Sequence, residues 1–268
     1  LTYAAAGALL DYETKTLLYG VNHQQTWAPA SLTKLVTVYA ALDAHAKGAF
    51  SLNEPQPVHP EAWASAMMPG SSLMFLGPDQ AVSGADLFRG LLISSGNDAA
   101  TEIAYRVSGS VDRFARRMNA VAATAGFPDF YFEEPAGLSP TNRITAEGFA
   151  RFATLLIDRY PEILTDYASL PSFAYPQQRH YPDGVVHGNP IVQYNRNALI
   201  DDYPGADGLK TGFIDESGYN LVGTAERNGR RLIVVVLGVS ATSHAEGGAR
   251  RADDARQLLD WGFDNYRR

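Results

Sequence analysis

Apolar and polar positions follow two different periods along the chain, and strand-like alternation is confined to its two ends. Two short apolar runs at residues 4–10 and 16–19 flank a polar turn and predict a β-hairpin. Three further strand-like runs occur late in the chain, at residues 209–213, 219–226 and 231–239. Asn228-Gly229, between the last two runs, is a typical two-residue hairpin turn.

Helical spacing dominates the middle of the chain. The first predicted helix carries apolar residues on one face and ends near Gly48; these residues are Leu32, Leu35, Val36, Tyr39 and Leu42. Residues 50–82 are rich in Pro and Gly and are predicted to be mostly loop. Further helices are predicted over residues 85–93, 98–107, 111–125, 146–159 and 251–263.

Strands at both ends and helices between them predict an α/β (α+β) fold. The economical packing is one antiparallel sheet formed from both termini, flanked by helices, with an inserted, mostly helical lobe. We expect one catalytic domain over residues 1–268. In it the sheet comes from about 1–30 and 205–268, and the inserted lobe spans about 45–145.

Composition excludes several classes of protein. The 268 residues carry a net charge of −7, which disfavours a nucleic-acid partner. There is no cysteine, so thiolate metal sites and a cysteine nucleophile are excluded. The six histidines show no H-E-x-x-H spacing, and no metal or other cofactor is expected. Of these, His180 and His187 are predicted to lie on a surface loop.

Three short motifs can carry chemistry: S-x-x-K at residues 31–34, S-x-N at 95–97 and K-T-G at 210–212. Each alone has an ordinary explanation, such as a helix cap, a solvated lysine or a strand bulge. Together and in this order they arise by chance about 3 times in 1000. Two of only four lysines in the chain lie within them.

The chemistry of these motifs is that of a serine nucleophile with a lysine base. Lys34 follows Ser31 by three residues on a predicted helix, so its amine can reach the Ser31 hydroxyl. A lysine becomes a base near neutral pH only when its pKa falls by about 3 units, through burial or a neighbouring cation. Lys210 supplies that cation if its strand lies beside the helix. Ser95 and Asn97 would complete the hydrogen-bond network.

The motif set resembles the active site of penicillin-binding enzymes and serine β-lactamases. More of the chain is similar to one branch, the low-molecular-weight D-alanyl-D-alanine carboxypeptidases. The matching segments include residues 29–34, 70–76, 95–99, 195–197, 218–221 and 261–263. No E-x-x-L-N motif, which class A β-lactamases use for deacylation, occurs between Asn97 and Lys210. Covalent trapping by β-lactams is therefore expected rather than their rapid hydrolysis.

The resemblance implies a role for each site residue. Ser31 would be the acylated nucleophile, Lys34 its general base, and Lys210 a support for the proton network. Ser95 and Asn97 would line the cleft. The oxyanion hole would be formed by backbone N–H groups of Ser31 and Phe213. The substrate-binding positions, which hold the substrate and its terminal carboxylate, would be Thr211, Gly212, Phe213, Arg251 and, more weakly supported, Arg196.

The activity implied is removal of the terminal D-alanine from peptidoglycan stem peptides outside the bacterial cytoplasm. Two alternatives stay open: a D,D-endopeptidase that cleaves crosslinks, and a non-catalytic penicillin- or muropeptide-binding module. Membrane anchoring is expected only through a segment outside this chain. Ile214, Asp215 and Ser217 depart from the family's usual residues, and residues 171–189 align poorly, which bears on substrate preference.

Overall fold

A central antiparallel sheet organises residues 1–185 and 188–266, the part of the chain that the computed structural model describes. The strands there are β1 (Ala6–Asp11), β2 (Leu17–Val21), β3 (Thr26–Trp27), β4 (Gln56–Pro57), β5 (Ala81–Val82), β6 (Ile144–Thr145), β7 (Ser172–Tyr175), β8 (Ile191–Tyr194), β9 (Ala206–Ile214), β10 (Gly218–Arg227) and β11 (Arg230–Val239). The helices are α1 (Thr33–Ala46), α2 (Gly84–Leu92), α3 (Asn97–Ser108), α4 (Val111–Thr124), α5 (Ala146–Arg159), α6 (Leu199–Asp202) and α7 (His244–Asn265).

The sheet joins the two ends of the chain, as the sequence predicts. Its strand order is β2-β1-β11-β10-β9, and each neighbouring pair is antiparallel. The first strand therefore pairs with the last, and the helices between β2 and β9 form an insertion between the two halves of the sheet. The predicted α/β fold is confirmed.

Strand β11 is apolar at every position from 232 to 237 because both of its faces are buried. Ile233, Val235 and Leu237 pack into the core on the side covered by α5. Leu232, Val234 and Val236 pack into a second core beneath α7. Successive side chains of a strand point to opposite faces of the sheet. A strand that lies between two helical layers therefore needs apolar residues at both its odd-numbered and its even-numbered positions.

Two sequence predictions need correction. Helix α7 begins at His244, seven residues before the predicted start at 251, with the Ser243 side chain capping the N–H of Glu246. His180 is not on the surface: its side chain is 2% exposed. Its Nε2 lies 3.1 Å from the Asp86 carboxylate, and its Nδ1 accepts from the Gln177 N–H. His187 lies outside the described residues.

The described helices include none with the length and apolar character required to cross a lipid bilayer.

The N-terminal segment is fastened to α7 by one buried carboxylate. Asp254 is fully buried, and its two oxygens accept the backbone N–H groups of Thr2, Tyr3 and Ala4 at 2.6–2.9 Å. A carboxylate that accepts several N–H groups forms charge-assisted hydrogen bonds, which are stronger than bonds between neutral groups. The contact holds the lead-in to β1 against the helix that covers one face of the sheet.

We expect Asp254→Ala to lower the free energy of unfolding by about 3 kcal/mol, because three N–H groups lose their acceptor and a cavity forms. Urea denaturation at neutral pH measures this. The matched control is Asp253→Ala: that carboxylate is half exposed and pairs with Arg256, so the cost should stay below about 1 kcal/mol. Equal losses for the two variants would contradict the assigned role of Asp254.

Candidate active site

The S-x-x-K and K-T-G segments meet at a backbone-to-backbone contact. Ser31 lies in a 3₁₀ turn, Ala30–Leu32, that leads directly into α1, and this turn packs on β9. A Cβ on Gly212 would lie 2.9 Å from the Ser31 nitrogen and 2.9 Å from the Pro29 oxygen. Only glycine allows β9 to approach the serine this closely. The glycine of K-T-G therefore permits the contact that assembles the site.

Asn220 on the neighbouring strand β10 holds the segment that leads to Ser31. Its side chain is fully buried, donates to one carbonyl and one hydroxyl and accepts from a backbone N–H of β11. The specific partners are the Ala28 oxygen at 3.1 Å, the Ser217 hydroxyl at 3.1 Å and the Gly238 N–H at 2.9 Å. The serine turn is thus tied to the sheet through a side chain as well as through β9.

Lys34 carries a fully buried amine that contacts the serine hydroxyl. Its Nζ donates to Ser31 Oγ at 2.9 Å, to Asn97 Oδ1 at 2.9 Å and to the Ala136 carbonyl at 2.6 Å. Three acceptors match the three N–H bonds of an ammonium. When the amine is neutral, two N–H bonds serve Asn97 and Ala136, and its lone pair can accept the Ser31 O–H.

Burial lowers the pKa of Lys34 to about 7. The Glu134 carboxylate opposes this by raising the pKa, Arg196 lowers it further and Asp98 raises it. The neutral form of Lys34 is therefore accessible near neutral pH. A neutral amine in contact with a serine hydroxyl is positioned to take its proton.

Lys210 lies close enough to Lys34 for their charges to repel. Burial is the main cause that lowers the pKa of Lys210 well below its usual value, and Lys34 is the next. The Lys210 Nζ donates to the Thr211 carbonyl at 2.9 Å. The sequence predicts that Lys210 lowers the pKa of Lys34. In the structure burial is the main cause for Lys34, and Arg196 is the cation that adds to it.

The predicted site residues line or adjoin one cleft of about 530 Å³. Those on its wall are Ser31, Ser95, Asn97, Arg196, Thr211, Gly212, Phe213 and Arg251. Lys34 and Lys210 lie behind this wall, each 2% exposed or less. Ser95 precedes α3 with φ +61°, and Asn97 is the first residue of that helix.

Two guanidinium groups face the same cleft. Arg251 is buried, and its nitrogens donate to the carbonyls of Gly212 at 3.3 Å and Arg196 at 3.4 Å. Burial lowers its pKa to about 10, which leaves it charged at neutral pH. Arg196 donates to the Ser72 hydroxyl at 2.8 Å. The pair makes the cleft attractive to a carboxylate.

Tyr219 and His244 shape the cleft beside Phe213, and the sequence assigned no role to either of them. Phe213 stacks on Tyr219 with centroids 4.3 Å apart, and the Tyr219 hydroxyl lies 2.9 Å from His244 Nδ1. These three rings separate the cleft from an adjoining cavity of about 620 Å³. The start of α7 could have been found from Ser243-His244-Ala245-Glu246, an S-x-x-E capping signature.

Glu134 and Gly137, on the loop that follows Phe132, were also missed, and no sequence motif marks them. The Glu134 carboxylate accepts from the N–H groups of residues 136–139. Gly137 has φ +84°, and a Cβ there would lie 1.9 Å from the Ala30 oxygen and 2.8 Å from the Ser31 nitrogen. The loop therefore packs against the serine turn as closely as β9 does.

The arrangement supports attack on an acyl carbon by Ser31, with Lys34 as its base and a carboxylate of the substrate held by arginine. A family model described as D-alanyl-D-alanine carboxypeptidase matches residues 2–241. D-alanyl-D-alanine carboxypeptidase DacD of Escherichia coli is 35% identical over 98% of this chain. The chain spans 64% of that relative's length.

Solved structures show the same architecture. Penicillin binding protein 5 from Haemophilus influenzae superposes with a TM-score of 0.86 at 33% identity, over 98% of this chain and 71% of that one. Penicillin-binding protein D2 from Listeria monocytogenes, in a cefotaxime-bound form, has a TM-score of 0.80 at 28% identity, over 97% of both chains.

We expect Gly137→Ala to slow the labelling of Ser31 by a fluorescent penicillin about 100-fold, because the added Cβ displaces the Ala30–Ser31 backbone. Gel fluorescence over time measures the rate. The control is Gly126→Ala: that glycine also has a positive φ of +99°, but nothing lies within 4 Å of its Cβ position. The control should keep the parent rate; equal slowing in both variants would mean that backbone strain, not the contact with Ser31, is responsible.

Proposed function

The chain belongs to the D-alanyl-D-alanine carboxypeptidase family, and from that premise we propose that it is a serine D,D-carboxypeptidase. It removes the terminal D-alanine from peptidoglycan stem peptides through an acyl-enzyme on Ser31. One observation carries the proposal. The buried Lys34 amine, whose pKa is about 7, lies 2.9 Å from the Ser31 hydroxyl in a cleft that also presents Arg196 and Arg251.

In the first half-reaction Ser31 Oγ attacks the carbonyl carbon between the two D-alanine residues. The hydroxyl proton passes to Lys34 Nζ as the new C–O bond forms. The backbone N–H groups of Ser31 and Phe213 stabilise the oxyanion of the tetrahedral intermediate. The C–N bond then breaks, and the leaving amine of D-alanine takes a proton from the network of Lys34 and Ser95.

The second half-reaction reverses these roles. A water molecule loses a proton to the same network and attacks the ester carbon, the bond to Ser31 Oγ breaks, and the hydroxyl regains its proton. Asn97 holds the Lys34 amine in place throughout, since its Oδ1 accepts from Nζ at 2.9 Å. Lys210 supports the proton network beside Lys34.

The terminal carboxylate of the substrate is held by Arg251 and Thr211, and Arg196 lines the same cleft. Because the cleft already contains buried lysines with lowered pKa values, an incoming carboxylate stabilises their charged forms. We also expect a preference for a free C-terminus, because a blocked terminus lacks the negative charge that Arg251 and Arg196 bind.

β-Lactams are proposed as covalent inhibitors that acylate Ser31. The cefotaxime-bound form of the Listeria relative supports binding of this class. Because the substrate is cell wall, the proposed location is outside the bacterial cytoplasm. Residues 1–268 are proposed to form one catalytic domain, with about 45–145 as the inserted lobe and the sheet from about 1–30 and 205–268.

The protein should release free D-alanine from a diacyl-Lys-D-Ala-D-Ala peptide and gain the mass of one penicillin on Ser31. A coupled D-alanine assay and peptide mass spectrometry measure the two effects, with Ser31→Ala as the inactive control. Cleavage of a crosslinked muropeptide dimer without release of D-alanine would instead indicate an endopeptidase. Absence of both turnover and adduct would contradict the proposal.

Acylation should become faster as pH rises, with a midpoint near pH 7, because only the neutral form of Lys34 accepts the serine proton. Stopped-flow acylation by a chromogenic cephalosporin across this range measures the profile. Lys34→Ala should slow acylation about 100- to 10,000-fold at every pH. The control Lys47→Ala removes an exposed lysine just beyond α1 and should leave rate and midpoint unchanged. Retained acylation in Lys34→Ala would show that another group is the base.

A further inference from the structure

A single peptide group connects the Lys34 amine to the Glu134 carboxylate. The carbonyl of Ala136 accepts from Lys34 Nζ at 2.6 Å. The N–H of the same peptide group, that of Gly137, donates to Glu134 Oε1 at 2.7 Å. Hydrogen bonds at the two ends of one amide polarise each other, so a charge at one end strengthens the bond at the other.

The Glu134 side chain is held in one position by its own loop. Its oxygens accept the N–H groups of Ala136 at 2.7 Å, Leu138 at 2.8 Å and Ser139 at 3.3 Å, and the Asn142 side-chain amide at 3.1 Å. All of these donors are uncharged, so they orient the carboxylate without cancelling its charge. The negative charge remains available to the amine across the peptide group.

The connecting peptide group cannot rotate freely. Gly137 adopts φ +84°, and its Cα lies so close to the serine turn that a Cβ would overlap the Ala30 oxygen. The direction of the Gly137 N–H is therefore fixed against the same turn that carries Ser31. One rigid loop sets the positions of the nucleophile's turn, the acceptor for Lys34 and the carboxylate.

Other charged groups also face Lys34. Arg196 is a cation that lowers the pKa of Lys34, and the charge of Lys34 in turn lowers the pKa of Lys210. Asp98 on α3 is a carboxylate, but its oxygens accept the backbone N–H groups of Met74, Phe75, Leu76 and Ala99. Of the two carboxylates, Glu134 has the larger effect on Lys34 and raises its pKa.

We propose that Glu134 is a positioning residue that acts on Lys34 through the Ala136–Gly137 peptide group. It directs the amine toward Ser31 and stabilises the ammonium that exists after proton transfer. The inference rests on the proposed function, since it requires Lys34 to be the base. When the tetrahedral intermediate forms, the Ser31 O–H bond breaks, the Oγ–C bond forms, and the proton lies on Nζ, whose bond to the Ala136 carbonyl strengthens. When the C–N bond then breaks, the leaving nitrogen takes that proton through the network of Lys34 and Ser95.

The test compares pH profiles for acylation by benzylpenicillin in the parent protein and in Glu134→Gln. Without the negative charge the ammonium is less stable, so the midpoint should move about one unit toward lower pH. The rate at the high-pH plateau should fall about tenfold or more, because the charge no longer favours proton transfer to Lys34. A purely structural role would lower the plateau and leave the midpoint in place, and an unchanged midpoint in folded Glu134→Gln overturns the inference.

Glu133→Gln is the matched control. This neighbouring carboxylate is exposed and accepts from the hydroxyls of Ser139 and Thr141 instead. Its replacement should preserve both midpoint and plateau; a midpoint shift as large as that of Glu134→Gln would show that general surface charge is responsible and would overturn the inference.

Glu134→Asp keeps the charge and shortens the side chain, so its midpoint should stay near that of the parent while its plateau falls. If thermal melting shows that Glu134→Gln does not fold, Glu134→Asp decides, and a parent-like plateau would overturn the inference. Different results would overturn the proposed function and the role of Glu134. No adduct on Ser31 in the parent protein removes the proposed function, whereas a normal parent profile with an unshifted Glu134→Gln removes only the role of Glu134.

Discussion

Removal of the Lys34 amine from water is the constraint on which the rest of the site depends. An isolated ammonium in a protein interior is costly, and the side chain responds by losing its proton more readily. Asn97 and the Ala136 carbonyl supply the polar partners that make the burial tolerable. The same burial converts a residue that is ordinarily an acid at neutral pH into one that can accept the proton of a serine.

Two glycines place the backbone segments around that amine at the necessary distance. Gly212 lets the edge strand β9 approach the serine turn, and Gly137 lets the loop after Phe132 approach the same turn. A methyl group at either position would force the turn to shift. The rigidity of the nucleophile's surroundings therefore comes from close backbone packing of β9 and this loop rather than from Ser31 itself.

Local sequence patterns were sufficient to predict the sheet and most helices. The spacing of apolar residues and the identity of cap residues can both be read from positions that are close together in the chain. Serine is a preferred N-cap residue, and Ser83 and Ser110 cap α2 and α4. The burial of His180 was not predictable in this way, since its partner Asp86 lies on a distant helix. The strand pair β7–β8 was missed for the same reason: its register joins segments separated by a long connection.

In the candidate site, too, contacts between residues close in sequence could be predicted, whereas contacts that depend on the fold could not. Ser31 and Lys34 are close because they share a helical turn, which spacing alone reveals. The position of Lys210 follows once β9 is placed beside that turn. Glu134 has no such signature, because its effect on Lys34 depends on how the backbone of Gly137 is oriented. A residue that acts through a backbone peptide group is not marked by any motif of side-chain types in the sequence.

The pairing of β1 with β11 has a consequence for how the chain folds. A ribosome delivers β1 more than two hundred residues before its partner, so the central sheet cannot close until β11 has been synthesised. Contacts between such remote segments are slow to form. The serine turn, which needs β9 for support, stays unassembled during that interval, and a chain interrupted before its final strands would contain the nucleophile without a cleft around it.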